Sequence, residues 1–450
     1  MPERDPAAPV PPRPSCVLVV HNRYRIRGGE DSVFEAECRL LEEAGIRVIR
    51  YERSNDDIPD GGGPFAKLGL ALCTVWNPRT YREVREILRR ERPDAMHCHN
   101  TFPQISPSVY YAAAREGVPV VQTLHNYRLA CLNGYLFREG HVCEDCLGRT
   151  PWRGVCRRCY RGSRAQSFVA AAMLLVHRLL GTYRRKVTRY IALTDFAKTK
   201  FVVAGLPARK ISVKPNAFAA DGGKRAGLPA TVVRSGSSAP DRLRVVYVGR
   251  LSPEKGVDVL LRAWALLTKE GRDASTARPS QAPGEPGAAQ PRRGPAPTCE
   301  IVGDGPERAA LEGLADELGI SSSVRFLGAL PREEALRELA GADLLVFPSL
   351  WYETFGLTIL EAASQGVPAV ATNIGGQSSL VQDGITGRLV PPGDSAALAA
   401  SLRELLSDPA ALRRMGDAAR AAFDASDCAP SRNLARLLAV YASARSAHDA

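Results

Sequence analysis

Glu353 and Glu361 stand with seven residues between them in the stretch WYETFGLTILEAASQGVPAVATNIGG, residues 351–376. The apolar run DLLVFPSL before them reads as a buried parallel strand. FGLTILEAAS after the first glutamate has helical spacing, with Leu357, Leu360 and Ala363 offered to one face. If the helix begins near Phe355 or Gly356, its first free N–H groups and positive dipole end can receive a diphosphate, and Gly356 lets the backbone come close. Glu361 then lies roughly 7 Å further along the axis at ~1.5 Å per residue. A carboxylate there could accept hydrogen bonds from both hydroxyls of a ribose while the phosphates stay at the helix start. Glu353, still in the loop, could face a sugar on the other side of the diphosphate. The plain structural reading makes both glutamates solvated acids.

Other residues carry chemistry at recognisable spacing. GRLSPEKG, residues 249–256, sets Arg250 and Lys255 between the strand RVVYV and the helix VDVLLRAWALL. No Asp-x-Asp occurs anywhere in the chain, so the paired carboxylates that bridge a divalent metal to a diphosphate are missing. IVGDGPER, with Gly303, is equally readable as turn chemistry before a Pro-started helix. Gly28 and Gly29 follow the first strand and open a helix, a weak signal by itself. His125 ends the strand of VPVVQTLHN, and His97 and His99 in MHCHN alternate so that both point to one face. Five of the 11 cysteines fall at Cys131, Cys143, Cys146, Cys156 and Cys159, the last four spaced C-x2-C-x9-C-x2-C. In a chain that opens without the apolar core of a secretion signal, paired C-x2-C units read as a structural zinc site before they read as disulfides, with Cys131 or His141 able to replace one ligand.

Positioning such residues takes regularly alternating elements. After a Pro-rich lead-in at 1–15, strands CVLVVHN, IRVIRYE, DAMHCHN, VPVVQTLHN, RYIALTD and KISVKPNAF alternate with helical segments through residue 218, interrupted by the Cys-rich insertion at 131–160. A Gly-, Ser- and Ala-rich linker follows at 219–241. A second wound unit, 242–425, runs through RVVYVGR, TCEIVGDG, VRFLGAL, DLLVFPS, PAVATN and TGRLVPP, with a low-complexity insertion at 271–298 expected to be disordered. A last helix at 426–450 is free to pack back on the first domain. The fold class expected is α/β, two doubly wound Rossmann-like domains.

The 450 residues, 45% hydrophobic and 24% charged, have room for two or three domains with substantial cores. No window is apolar for the ~18–20 residues that a membrane span needs; the nearest, SFVAAAMLLVHRLLG, contains His177 and Arg178 and reads as a core or interfacial helix. The net charge of +12 is spread rather than clustered and is not interleaved with stacking aromatics. Nucleic acid is therefore not expected as a partner, and peripheral docking on an acidic inner membrane face of a cytoplasmic protein is the better expectation.

The segment 351–376 resembles the signature of glycosyltransferase family 4, in which a Glu-x7-Glu pair holds the sugar nucleotide, and the match extends through Phe355, Gly356 and Leu357. The resemblance covers roughly residues 16–425 and is strongest in the second half. It implies the GT-B architecture of two domains facing across a cleft, and a retaining transfer of a hexosyl or related sugar from a UDP-, GDP- or ADP-sugar to a glycan, lipid-linked or small-molecule acceptor. It places Arg250 and Lys255 on the donor diphosphate. Two fixed cations in a water-poor cleft favour the charge that grows on the leaving group, and with a helix start they replace a catalytic metal. Gly303 falls near the nucleobase, Gly28 and Gly29 near the donor phosphates and the acceptor, and His125 near the transferred sugar. Glu353 and Glu361 then position sugar and ribose rather than acting as a glycosidase pair. Two rival readings are a GT-B-fold sugar-nucleotide epimerase and a zinc-containing nucleic-acid-binding protein on an inactive scaffold.

Overall fold

The structure, a computed structural model, describes residues 13–25, 28–58, 63–218, 242–276 and 296–449. The lead-in up to residue 12, the linker at 219–241 and residues 277–295 of the low-complexity insertion lie outside the described residues. Of the insertion expected to be disordered at 271–298, residues 271–276 belong instead to the helix Val257–Thr276, and Thr298 starts the strand Thr298–Val302. The chain divides into two compact units, one of residues 1–138, 143–219 and 427–450, the other of residues 139–142 and 220–426.

The first unit is built on β1 (Cys16–Arg23), β2 (Arg47–Ser54), β3 (Ala95–Asn100) and β4 (Val120–Leu124), followed by the short strand β5 (Phe137–Arg138), then β7 (Arg189–Ala192) and β8 (Ile211–Val213), while the two-residue β6 (His141–Val142) falls within residues 139–142 of the other unit. Its six-stranded sheet has the order β2-β1-β3-β4-β7-β8. The pairings are parallel, with Val19 opposite His97 and His97 opposite Val121. Continuous apolar runs suit strands covered on both faces. β1 buries Cys16 through Asn22 without a break, and β4 is buried throughout. The core on one face joins Val17, Val19, Phe34, Leu41, Val121 and Ile191 to Leu437, Val440, Tyr441 and Ala444 of the C-terminal helix Pro430–Asp449. That helix therefore completes this unit. Caps fix where helices start: Asn77 Oδ1 accepts from the backbone N–H of Arg79 and Thr80, with Pro78 at the first helical position.

The second unit contains β9 (Arg244–Val248), β10 (Thr298–Val302), β11 (Val324–Gly328), β12 (Leu344–Phe347), β13 (Ala369–Thr372) and β14 (Gly387–Val390). Its sheet has the order β11-β10-β9-β12-β13-β14, and its paired strands are parallel. One face packs Leu260, Leu261 and Trp264 with Leu398 and Leu402; the other packs Leu345 and Ala369 with Ile359, Ala362 and Val381. The strand order reverses direction between β9 and β12. In open α/β sheets the crevice outside the carboxyl ends at such a switch is where ligands bind.

Candidate functional site

The loops leaving β9 and β12 at that switch carry the charged residues singled out in the second unit. The β9 loop, 249–256, is fixed by backbone contact on two sides. Gly249 N–H donates to Val302 O at 2.9 Å, and Leu251 N–H to Asp304 O at 2.9 Å, which laces it to the β10 loop. A methyl carbon on Gly303, whose φ is +141°, would fall 1.8 Å from the Gly249 carbonyl oxygen. Only glycine fits there. On the other side Leu350 N–H donates to Glu254 O at 2.8 Å, and Gly256 takes φ +65° beneath the Pro348 carbonyl.

Lys255 reaches into the β12 loop, where its Nζ donates to Glu353 Oε1 at 2.6 Å. The same carboxylate oxygen accepts from Trp351 Nε1 at 2.8 Å and Ser349 Oγ at 3.1 Å. Glu353 is thus a buried carboxylate held by three donors, not a solvated loop acid. Arg250 donates to Glu254 Oε1 at 2.5 Å and to Ser252 Oγ at 3.2 Å, and about half of its side chain stays exposed. Burial works to raise the Glu254 carboxyl, but the Ser252 hydroxyl and the Arg250 guanidinium outweigh it and hold it below the usual range.

The helix Leu357–Ser364 starts after Gly356, which takes φ +114° and provides no side-chain cap. This leaves the first turn without a side-chain acceptor of its own, as an anion-receiving helix start requires. Phe355 is buried behind it and Leu357 is half-buried. The buried face differs from the expected Leu357, Leu360 and Ala363. Ile359, Leu360, Glu361 and Ala362 are buried, whereas Leu357 and Ala363 are only half-buried, because the helix is covered on more than one side. Glu361 lies among these buried residues with Arg332 Nη2 2.8 Å from its Oε1. Burial raises its carboxyl above the ordinary value, and the Arg332 guanidinium opposes that rise without cancelling it. Arg250, Lys255, Glu353, Glu361, Gly303, Phe355, Gly356 and Leu357 therefore share one unit, on its β9, β10 and β12 loops and the helix after β12. Arg332, Ser349 and Trp351 were not singled out from the sequence. Trp351 stands two residues from Glu353, but Arg332 precedes Glu361 by 29 residues on another helix and gives no local signal.

In the first unit Gly28 precedes the helix Gly29–Glu43, and its N–H donates to Asp31 Oδ2 at 2.8 Å while Asp31 Oδ1 lies 2.8 Å from His21 Nε2. His125 is buried, its Nε2 2.9 Å from His99 Nδ1. It lines a pocket with His99, Asn100, Phe102, Gln122 and Arg128. His97 does not line that pocket; it lies between Tyr441 Oη at 2.8 Å and Thr123 Oγ1 at 2.7 Å. Burial holds His97 down to about 4 and drives His99 and His125 well below the ordinary histidine value, so all three are neutral near pH 7. Glu37, His97 and His99 bring ligand-type atoms within 4.8 Å of one another, but the buried Lys214 ammonium already donates to Glu37. A cation is in place there.

The insertion places its five cysteines unequally. Cys131, Cys143, Cys146 and Cys159 line one cavity, whereas Cys156, at the end of the short helix Trp152–Cys156, is exposed and outside it. The C-x2-C-x9-C-x2-C quartet expected from spacing alone is thus not the set that shares a cavity. His141 is also exposed and outside it.

Comparison with known proteins agrees with this architecture. Residues 16–217 match the family described as "Glycosyl transferase 4-like domain", and residues 233–422 match "Glycosyl transferases group 1". The alpha-D-kanosaminyltransferase of Streptomyces kanamyceticus is 32% identical over 74% of this chain and 73% of its own length. The glycogen synthase of Mycobacterium tuberculosis is 39% identical over 84% and 75%. Among solved structures, Anabaena HepE in complex with UDP and glucose superposes with a TM-score of 0.58 at 18% identity, covering 94% of this chain and 98% of its own, a likeness of fold. With its two doubly wound sheets and these matches, the chain belongs to the GT-B glycosyltransferases of family 4.

Proposed function

We propose that the second unit binds a nucleoside-diphosphate sugar and that the enzyme transfers the sugar with retention of configuration. The observation that carries the reading is the Lys255 to Glu353 contact at the β9/β12 switch, with Arg250 half-exposed on the same loop and the uncapped helix start at Leu357. The diphosphate is received by Arg250, Lys255 and the N–H groups near Gly356 and Leu357. Glu361 accepts from the ribose hydroxyls. Glu353 turns from Lys255 toward the sugar. Gly303 keeps the nucleobase side of the loop open; in the first unit, Gly28, Gly29 and His125 are the positions at which the family resemblance puts phosphate, acceptor and sugar contacts. A neutral His125 can accept or donate one hydrogen bond to a sugar hydroxyl.

Charge grows on the diphosphate as the glycosidic bond breaks, and two prepositioned cations favour that charge more than they favour the ground state. The leaving phosphate then takes the acceptor proton, and no protein nucleophile is assigned. No catalytic metal is required by this arrangement. The acceptor is a hydroxyl of a glycan, a lipid-linked glycan or a small molecule; the glycan reading is supported by the relative named for glycogen synthesis. A thermal-shift screen with UDP, GDP, ADP and their sugars tests the reading, because a ligand that binds the folded state raises its stability as RT ln(1 + [L]/Kd). A shift with one base and none with the others names the donor; no shift with any of them overturns it.

We further assign peripheral association with an acidic membrane face, supported by the net charge of +12 and by Phe65, Leu68 and Leu72 exposed on the helix Pro64–Val75. No helix among the described residues is long and apolar enough to cross a membrane. Sedimentation with phosphatidylglycerol vesicles but not phosphatidylcholine vesicles is the expected result. The epimerase and nucleic-acid readings are not favoured by relatives such as the kanosaminyltransferase and the glycogen synthase.

A further inference from the structure

Residues 131–160 contain little regular structure: β5 and β6 of two residues each and the five-residue helix Trp152–Cys156. A segment so poor in secondary structure and core needs another constraint to hold one conformation. All of its cysteines are free, so disulfides do not supply it.

We propose that Cys131, Cys143, Cys146 and Cys159 form a tetrathiolate site for one structural Zn2+, with Cys156 outside it. These four line a single cavity, and Cys156 does not. The Cys131 thiol donates to Asn133 Oδ1 at 2.9 Å, and Asn133 lines the same cavity. Four thiolates around Zn2+ carry a net charge of −2. Arg138, Arg153 and Arg157 line the same cavity and offset it, with Asp145 paired to Arg153 at 3.6 Å and to Arg157.

Zn–S bonds of ~2.3 Å in a tetrahedron place sulfurs ~3.8 Å apart. Among the described residues no three cysteine sulfurs lie all within 4.8 Å of one another, so binding draws the thiols into the cavity between them. Each thiol gives up its proton as the metal binds. The staple bears on the neighbouring pocket through Tyr160, the residue after Cys159. The Arg128 guanidinium lies 5.2 Å from the centre of the Tyr160 ring and 4.4 Å from that of Phe102. Arg128 and Phe102 line the pocket that holds His125. The proposal is independent of the donor assignment.

The test uses full-length protein purified without chelators. Elemental analysis is expected to find about one equivalent of zinc, and Co2+ exchange to give the thiolate charge-transfer and tetrahedral d–d bands of a four-sulfur site. Cys156→Ser should keep the full equivalent, while Cys131→Ser and Cys159→Ser should lose most of it or show altered Co2+ bands. Less than half an equivalent with no uptake of Co2+, or loss in Cys156→Ser equal to that in Cys159→Ser, overturns the proposal. Because a cysteine variant can misfold, the unsubstituted protein provides a second measurement. Limited alkylation, mapped by mass spectrometry, should modify Cys156 first with zinc retained; zinc release on modification of Cys156 alone overturns the assigned quartet.

Discussion

Lys255 Nζ and Glu353 Oε1 are 2.6 Å apart, joining the β9 loop to the β12 loop across the point where the sheet reverses its order. Each is the other's counter-ion, and Trp351 and Ser349 hold the carboxylate in place. In the proposed donor site this pair is exchanged for diphosphate and sugar contacts. Lys255→Ala should lower kcat by about 100- to 1,000-fold, the usual cost of removing one donor to developing charge, about 2.7–4 kcal/mol. Lys255→Ala and Glu353→Gln should be non-additive by about 0.5–3 kcal/mol in steady-state kinetics. Strict additivity would mean that the contact has no part in turnover.

Glu361 is expected to act on binding more than on chemistry. Glu361→Ala should weaken nucleoside-diphosphate affinity by about 10- to 100-fold, the range of about 1.5–3 kcal/mol for hydrogen bonds to a charged group. Removing the guanidinium in Arg332→Gln should push the Glu361 carboxyl higher still, since burial alone then acts on it. Donor affinity in that variant should fall at a higher pH than in the unsubstituted enzyme as pH is lowered, measured by calorimetry. An unchanged profile would separate Glu361 from the ribose.

Gly303 tests the lacing of the β9 and β10 loops. Gly303→Ala forces a side chain into φ +141° and into the Gly249 carbonyl. The expected loss is at least about 2 kcal/mol in urea unfolding of the second unit. A variant as stable as the original would show that the close approach is not maintained in solution.

The buried histidines set an acid limit on the first unit. His97, His99 and His125 have folded values below the unfolded ~6.5, so the unfolded state binds more protons and stability falls as pH drops. For His97 the loss runs from about 6.5 down to about 4, at about 1.4 kcal/mol per pH unit. Tyr441→Phe should cost about 1–3 kcal/mol by leaving His97 Nδ1 unpaired. It should do so without changing nucleotide affinity. Chemical denaturation between pH 7 and 4 checks both.

Much of the second unit was legible because its chemistry is local. Glu353, the glycine that starts the helix and Glu361 fall within nine residues, and Arg250 and Lys255 share one loop, so strand and helix periodicity sufficed to place them. What was hidden depended on chain segments far apart. Arg332 meets Glu361 only because two helices pack, and Tyr441 meets His97 across 344 residues. Spacing also left the cysteine set open, since any four of Cys131, Cys143, Cys146, Cys156 and Cys159 satisfied it. A regular C-x2-C-x9-C-x2-C reading selects Cys156, but Arg158 takes φ +54° after the helix Trp152–Cys156. Only Cys159 of that pair lines the cavity, together with Cys131 from outside the motif.

The central claim is a metal-independent nucleoside-diphosphate site made by Arg250, Lys255 and Glu361. Calorimetric titration of UDP, GDP and ADP into the enzyme in excess EDTA, repeated with Arg250→Ala, Lys255→Ala and Glu361→Ala, tests it most directly. The expected result is saturable binding of one of the three nucleotides without metal, weakened at least about tenfold, about 1.4 kcal/mol, by each substitution. Binding that appears only when manganese or magnesium is restored, or that survives all three substitutions unchanged, would contradict it.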